Sequence, residues 1–352
     1  MKLFKVIFFL FISCFSFNSF AAKAPSDSWT FTLRFENDLF AATDQFYTNG
    51  IKLNWISPDL NWFRELSWLR KERTIQNGID GVLQHLPYSE DKSRQRHVSL
   101  SAGQMMYTPG DIKTRTLIPN DRPYAGWLYA SAAFHTKTFS KLDTFEIVAG
   151  FTGKWSLAEQ AQDFIHSLRG IDKANGWDNQ IDTELGIALI YDHKHRYIPQ
   201  PEFSEHWGMD VITDYGGAVG NAFTHLNAGF EIRAGWNLPA DFGTALIRPA
   251  GDTSAPANRK DPRYQNEIKS FSFHLFASAT GRLVIRDIFL DGNTFSHSHS
   301  IDKKNLVGDF VIGASLSYRR VKISYAHVLR TREFEGQPDP QQFGSVSISY
   351  TY

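Results

Sequence analysis

Apolar and polar residues alternate along most of the chain, and this period of two is the strongest constraint on its fold. In the first such run, Trp29, Phe31, Leu33 and Phe35 alternate with polar or charged neighbours. The same pattern fills the last stretch, from 342 to 352. Because successive side chains of a strand point to opposite faces, each run has one side in an apolar medium and the other in a polar one.

Runs of this kind have lengths of about 9–15 residues, which is typical of tilted membrane-crossing strands. Strands of soluble sandwiches are shorter, at about 5–6 residues. We therefore predict an all-β fold, a transmembrane antiparallel β-barrel of about twelve strands with short helices in its loops. The predicted strands span 28–37, 47–57, 96–106, 125–137, 143–153, 182–192, 206–216, 222–236, 270–285, 306–319, 320–331 and 342–352.

The polar faces of these strands carry charges of both signs. Paired charges are expected there, because a single buried charge costs several kcal/mol. A barrel of about twelve strands is also narrower than the porins of about 16–18 strands. We therefore expect a largely filled lumen, with a small channel as the alternative. The charged residues assigned to the inner face are Arg34, Glu36, Lys52, Glu146, Glu184, Asp210, Glu231, Arg233, Arg319 and Lys322.

The N-terminus has the pattern of a secretory signal peptide. Lys2 and Lys5 precede an almost unbroken apolar run, and Ser19 and Ala21 provide small residues for cleavage. We predict a signal peptide over 1–21. An uncleaved membrane anchor is the alternative, although the apolar run is short for a membrane span.

The rest of the chain, 22–352, is predicted to be one barrel domain in the bacterial outer membrane. Tyr352 ends an alternating strand, a pattern typical of proteins assembled into that membrane. Cys14 lies in the signal peptide, so the mature chain is expected to lack thiol chemistry. The 37 basic and 37 acidic residues are balanced and form no polybasic tract, which argues against a nucleic-acid partner.

If both termini are periplasmic, the connections after odd-numbered strands lie at the outer end of the barrel. Asn37 and Asp38 at the end of the first strand then face Thr48 and Asn49 in the second, with Asp44 between them. Clustered carboxylate and carbonyl oxygens suit Ca²⁺. Asn, Asp and Gly are equally typical of turns, so ordinary turn chemistry is the alternative.

Two long connections are predicted at the opposite, periplasmic end. The first, 58–95, has some helical periodicity over 62–86. The second, 237–269, is rich in Pro, Gly, Asp and Ala and has an irregular pattern. Both depart from the short periplasmic turns that are usual in outer-membrane barrels.

The third outer connection contains a predicted helix. Ser156 and Glu159 fit a capping box, and Gly170 is a suitable residue beyond the helix end. Gln162 and His166 are four residues apart and share a face. A histidine in this position can act as a general base, but a lone histidine on a loop is more often a solvated side chain. Further histidines are predicted to lie in loops: His193, His195, His297 and His299.

Four segments resemble motifs of the lipid A 3′-O-deacylase family. They are ENDLF at 36–40, YTNG at 47–50, DRPYAGW at 121–127 and LDGNTF at 290–295, and they occur in the order typical of the family. The resemblance extends over nearly the whole mature chain. It implies a twelve-stranded outer-membrane barrel that requires Ca²⁺ and hydrolyses the 3′-acyloxyacyl ester of lipid A, so its partner would be lipopolysaccharide in the outer leaflet.

The resemblance also implies catalytic roles for individual residues. Asn37 and Thr48 match polar positions of the family's site. His166 matches its general base, with Gln162 one helical turn earlier. Lys113 is the nearest match to the lysine that stabilises the oxyanion.

For calcium, the resemblance implies Asp38 together with loop oxygens. Asp172 stands where family members can carry a Glu that helps to hold the ion, and its side chain is shorter. We expect a monomer. Two other functions stay open: a non-catalytic barrel such as a small channel or adhesin, and a barrel phospholipase, although no serine nucleophile is evident in the sequence.

Overall fold

The fold is described by a computed structural model that covers most of the chain beyond the predicted signal peptide. No helix in the part described is long and apolar enough to cross a membrane. Three sequence expectations, the signal peptide 1–21, the position of Asp44 and the helical periodicity of 62–86, lie outside the described residues. These are 28–41, 46–60, 91, 93–198, 206–244, 246–247, 255–257, 261–264 and 270–352.

Within these residues, twelve antiparallel strands form a closed barrel in which the first strand pairs with the last. Closure leaves no strand edge unpaired, as is required where no water can hydrogen-bond the backbone. The predicted all-β barrel is confirmed. The strands are β1 (Thr30–Asn37), β2 (Phe46–Ile56), β3 (Gln95–Thr108), β4 (Ala125–Lys137), β5 (Lys141–Thr152), β6 (Leu185–Tyr197), β7 (Trp207–Gly220), β8 (Phe223–Trp236), β9 (Phe271–Asp287), β10 (Leu306–Tyr318), β11 (Val321–Arg330) and β12 (Gln341–Thr351).

Exposed apolar side chains alternate along the strands with buried polar or small ones. In β10, Leu306, Phe310 and Ile312 are exposed, whereas Asp309 and Ser315 are buried in the lumen. The apolar residues therefore face outward, toward lipid, and the polar residues line the interior.

Three predicted placements are wrong, and all concern strand ends. β6 continues to Tyr197, so His193 and His195 lie in a strand rather than in a loop. Glu184 precedes β6 and binds the outer loops instead of lining the lumen. Arg319 has a φ of 51° in the tight turn after β10, and this turn places its side chain at the end of the barrel, outside the lumen.

The connection between β8 and β9 folds back into the barrel. Arg34 of β1 donates to the carbonyl oxygen of Leu246 (3.0 Å), and Glu36 accepts from the amide of Ile247 (2.7 Å). The lumen is filled here as expected. The filling segment is the long connection between β8 and β9, which enters from the barrel end where β1 begins and β12 ends, and it adds to the side chains of the wall.

Charged pairs hold this connection in place. The fully buried Asp241 accepts hydrogen bonds from Arg233 of β8 (2.5 Å), Lys322 of β11 (2.6 Å) and Arg263 of the connection itself (3.1 Å). Arg233 also binds Asp210 of β7 (2.7 Å). One carboxylate of the connection thus links two strands of the wall.

We expect Asp241→Asn to destabilise the barrel by about 3–5 kcal/mol, because it leaves three buried cations without their shared anion. Urea unfolding of the purified protein in detergent micelles would measure the loss. The matched control is Glu335→Gln, which removes one carboxylate from an exposed pair with Lys304 (2.7 Å). Equal stability of Asp241→Asn and wild type would contradict this role for the charge network.

Candidate active site

A cavity of about 200 Å³ lies against the outside of the barrel wall, at the end of the barrel opposite the one where β1 begins and β12 ends. Its floor is formed by the lipid-facing side of β1, β2 and β3, and it is covered by the helix α1 (Ala158–Arg169) of the connection between β5 and β6. The lining is apolar at Phe35, Leu39, Ile51, Met106, Ala161, Phe164 and Ile165, and polar at Asn37, Asp38, Thr48, Asn49, Gln104, Gln162 and His166.

The ends of β1 and β2 are joined at the floor of the cavity. The side-chain amide of Asn37 donates to the carbonyl oxygen of Thr48 (2.8 Å), and its Oδ1 accepts from the amide of Leu39 (2.9 Å). The second bond closes the beginning of the 3₁₀ turn Asp38–Ala41, in which Asp38 is buried. The end of β1 therefore forms a turn and also contributes to a cluster of polar oxygens, the two interpretations that the sequence left open.

A β-bulge in β2 turns extra polar side chains toward the cavity. The pairing with β3 shifts between Tyr47 and Asn49, so Thr48 is the inserted residue. Its hydroxyl lies 2.7 Å from the hydroxyl of Thr108 on β3. Bulges commonly re-aim side chains next to functional sites, and this one brings two successive residues, Thr48 and Asn49, to the cavity.

α1 is bounded by two left-handed residues, Leu157 (φ 57°) and Gly170 (φ 67°). The predicted glycine at the C-terminal end is confirmed, but the predicted capping box of Ser156 and Glu159 is wrong. The chain first makes a 3₁₀ turn over Gly153–Ser156, in which the hydroxyl of Ser156 donates to the carbonyl oxygen of Gly153 (2.6 Å). The helix therefore begins two residues after Ser156.

Gln162 and His166 are buried on the face of α1 toward the barrel, and the following loop orients both. His166 Nδ1 lies 2.6 Å from the carbonyl oxygen of Asp172. Because a carbonyl only accepts, Nδ1 carries the proton and Nε2 is the basic nitrogen of the neutral ring.

The amide of Gln162 is oriented by Trp177. The indole N–H donates to Gln162 Oε1 (2.7 Å), which fixes the amide so that its NH₂ group is on the other side. Gln162 Nε2 is buried and has no hydrogen-bond partner among the described residues. A buried donor of this kind, beside a cavity, can bind an anionic or carbonyl oxygen.

The cavity brings five of the seven predicted site residues together. These are Asn37, Asp38, Thr48, Gln162 and His166.

Lys113 and Asp172 are exposed and do not line the cavity. Lys113 lies in the connection between β3 and β4, where its carbonyl oxygen accepts from Asn175 (3.1 Å). The backbone of Asp172, rather than its carboxylate, contacts His166. Among the described residues, no three His, Cys, Asp or Glu side chains form a metal-binding group.

Sequence reasoning missed the apolar lining and the role of Trp177. Phe35, Ile51 and Met106 belong to the outward face of their strands, like all lipid-facing residues, and only the covering helix distinguishes them. Trp177 lies in a 3₁₀ turn in a connection without periodicity.

The sequence and the fold resemble those of known outer-membrane proteins. A sequence profile of the family described as "Outer membrane protein LpxR" matches residues 7–352. The chain belongs to the LpxR family. It is therefore an outer-membrane protein, and the lipid A 3′-O-deacylase family indicated by the four motifs is confirmed.

Among solved structures, LpxR from Salmonella typhimurium superimposes with a TM-score of 0.70 at 16% identity, covering 91% of this chain and 99% of that protein. The β domain of the Bordetella autotransporter BrkA is less similar, with a TM-score of 0.42 and 8% identity over 93% of this chain and 99% of that domain. A search of curated protein sequences found no match.

The DRPYAGW motif of this LpxR-family chain packs against residues that support the cavity. The guanidinium of Arg122 is buried 4.4 Å from the ring centroid of Tyr107 and pairs with Glu333 (3.3 Å). Tyr124 packs against Trp177, with ring centroids 5.0 Å apart. The motif thus connects the lumen to the loop that orients Gln162.

The LDGNTF motif holds the loop between α1 and β6 at the end that precedes β6. Asn293 exchanges hydrogen bonds with the backbone of Asp182 (2.7 and 3.0 Å), and Glu184 accepts from the backbone amides of Thr294 and Phe295. Burial alone would raise the pKa of Glu184, but these hydrogen bonds outweigh it and lower that pKa. Their stabilising contribution is present at neutral pH and is lost as the pH falls through the lowered pKa.

Gly126 of the DRPYAGW motif allows the segment before α1 to lie directly on β4. A Cβ at this position would stand 2.2 Å from Ser156 Oγ and 2.3 Å from Ala158 Cβ. We expect Gly126→Ala to displace α1 and to reduce any activity of the site by at least tenfold, with the barrel still folded. Activity would be measured, and folding of the barrel would be checked by the change in its gel mobility on heating.

The matched control is Gly281→Ala on β9, where the nearest heavy atom to a new Cβ is 4.0 Å away. If Gly126→Ala and Gly281→Ala were equally active, the close packing of α1 on β4 would have no functional role.

Proposed function

We propose that the chain hydrolyses the 3′-acyloxyacyl ester of lipid A in the outer leaflet, with His166 as the general base and Ca²⁺ as cofactor. One observation carries the proposal: a buried, oriented histidine stands beside a buried amide donor in an apolar cavity on the lipid-facing wall. Family membership supports the same substrate class.

The position of the cavity fits a lipid substrate. Lipopolysaccharide occupies the outer leaflet, and with both termini in the periplasm, as we propose, the cavity would lie at the level of that leaflet, outside the wall. Phe35, Ile51 and Phe164 would contact an acyl chain, while the polar residues at the floor would contact the ester and the sugar.

His166 would act through Nε2. This nitrogen takes a proton from a water molecule while the water oxygen attacks the ester carbonyl, and the ring is held in place through Nδ1 by the Asp172 carbonyl. The imidazolium then returns the proton to the sugar oxygen as the C–O bond breaks. The products are the carboxylic acid of the intact acyloxyacyl group and a 3′-hydroxyl group on the sugar.

The negative charge that develops on the carbonyl oxygen needs hydrogen-bond donors. Gln162 Nε2 is the donor already at the cavity, and Trp177 would keep it in position. Lys113 is the second proposed donor. Its exposed side chain would approach the substrate from the neighbouring loop, at the polar side of the site.

The donor set of the floor suits a hard cation. It consists of oxygen donors around one buried carboxylate, that of Asp38, with amide and hydroxyl oxygens of Asn37, Thr48 and Asn49 beside it. We propose that Asp38 holds the calcium ion, with Asp172 as a second, outer carboxylate. When bound, calcium would polarise the ester carbonyl.

We expect His166→Ala to reduce lipid A deacylation by about 10²–10⁴-fold, the usual contribution of a general base. Mass spectrometry of lipid A from expressing cells would show the loss of the 3′ acyl groups with wild type. His297→Ala, an exposed histidine at the same end of the barrel, is the matched control. Unchanged lipid A with wild type would favour the non-catalytic barrel instead.

We expect a chelator to abolish deacylation and added Ca²⁺ to restore it. In Asp38→Asn the calcium concentration for half-maximal activity should rise at least tenfold, because the buried carboxylate is lost. Asp178→Asn, at an exposed position in the loop after α1, should leave it unchanged. Activity that resists the chelator would exclude the calcium role and leave the deacylase proposal intact.

A further inference from the structure

The helix α1 has three faces of different character. At about 100° per residue, Gln162 and His166 point toward the barrel, and Asp163 lies on a second, polar face with Gln160 and Ser167. Ala161, Phe164 and Leu168 fall within an arc of about 60° on a third side. A helix that packed one side against the barrel and exposed the rest to water would carry polar residues on this third side.

Phe164 and Leu168 of the third face are exposed, and exposed apolar side chains continue into the residues before the helix. We define the apolar face of α1 as four side chains and give the exposed fraction of each: Trp155 63%, Leu157 51%, Phe164 67% and Leu168 55%. Contiguous exposed apolar surface of this kind marks a site of contact with lipid or another protein.

The apolar face is continuous with the lipid-facing wall of the barrel. Phe151 points outward from β5, as does Ile147 four residues earlier on the same face of the strand. The Phe151 ring packs edge-on against Trp155, with centroids 5.1 Å apart. This ring contact joins the wall, whose contact with acyl chains follows from the outer-membrane fold, to the first residue of the apolar face.

The polar face is turned away from this surface. Asp163 is paired with Lys173 of the following loop (2.5 Å), and both side chains are at least partly exposed. A helix with one charged and one apolar side lies in the plane of a membrane interface, with its apolar side among the acyl chains.

We propose that the apolar face of α1 is embedded among the acyl chains of outer-leaflet lipids. α1 then separates the cavity from the external solution, and its Phe164 and the exposed Leu39 of the floor line the cavity from the lipid side. The cavity opens into the bilayer, so a lipid reaches it by lateral diffusion. Only this last step rests on the proposed function.

Tryptophan fluorescence tests the position of the face without any activity. The protein would be reconstituted into phosphatidylcholine vesicles with bromine on the acyl chains, and into unbrominated vesicles with iodide outside. The chain has nine tryptophans, so the Trp155 signal is the difference between wild type and Trp155→Phe.

We expect bromine to quench most of the Trp155 difference signal, and iodide to quench it several-fold less. The opposite order would overturn the proposal. If Trp155→Phe does not insert, Leu168→Trp provides a second reporter, whose added emission should respond in the same way. Trp177→Phe is the control, because the buried Trp177 should be protected from iodide.

Activity tests the access route. We expect the double variant Trp155→Ser, Leu168→Ser to deacylate lipid A in detergent micelles like wild type, and in bilayers at least fivefold more slowly. Leu117→Ser, at an exposed position in the connection between β3 and β4, should be normal in both. Equal bilayer rates would overturn lateral access. If the wild type had no activity but the expected quenching were observed, the deacylase proposal would be rejected and the embedded apolar face would be retained.

Discussion

Backbone hydrogen bonding in a medium without water is the constraint on which this structure depends. The pairing of β1 with β12, from Thr30 opposite Thr351 to Asn37 opposite Gly344, leaves no amide of either strand edge exposed to lipid. Once the sheet is closed, alternation divides every strand between an apolar outside and a polar inside. Both the filled lumen and the outer cavity follow from this division.

The lumen and the cavity are stabilised by the same two strands. Glu36, on the inner side of β1, accepts hydrogen bonds from Tyr47, Ser345 and the connection that fills the barrel. Asn37, the next residue, points outward and binds Thr48 at the cavity floor. The polar interior therefore contributes to the rigidity of a site that it does not touch.

The sequence predicted the barrel closely because alternation is a local property. Strand ends were less well predicted, as with His193 and His195, because alternation does not mark where membrane-crossing pairing stops. Asn37, Asp38 and Thr48 could be brought together from hairpin geometry alone, and Gln162 and His166 from helical spacing. Their chemistry came from the family resemblance.

Other parts of the structure depend on contacts that the periodicity of the sequence does not reveal. Trp177 meets Gln162 through a loop without periodicity, and Leu246 enters the lumen from a connection that reads as irregular. Ser156 resembles a helix cap in sequence, but the preceding 3₁₀ turn takes its hydroxyl. In each case the deciding partner is far away in sequence or belongs to a conformation that side-chain patterns do not encode.

The bulge at Thr48 has a consequence for how such a barrel can change. An insertion of a single residue in a regular strand would turn every later side chain to the wrong side of the wall. Here the extra residue is absorbed locally, since Asn49 to Ile56 keep an unbroken register with β3. Polar groups can therefore be added at the end of a strand while its membrane-crossing part retains its sequence. The chemistry of the site can then evolve independently of the barrel.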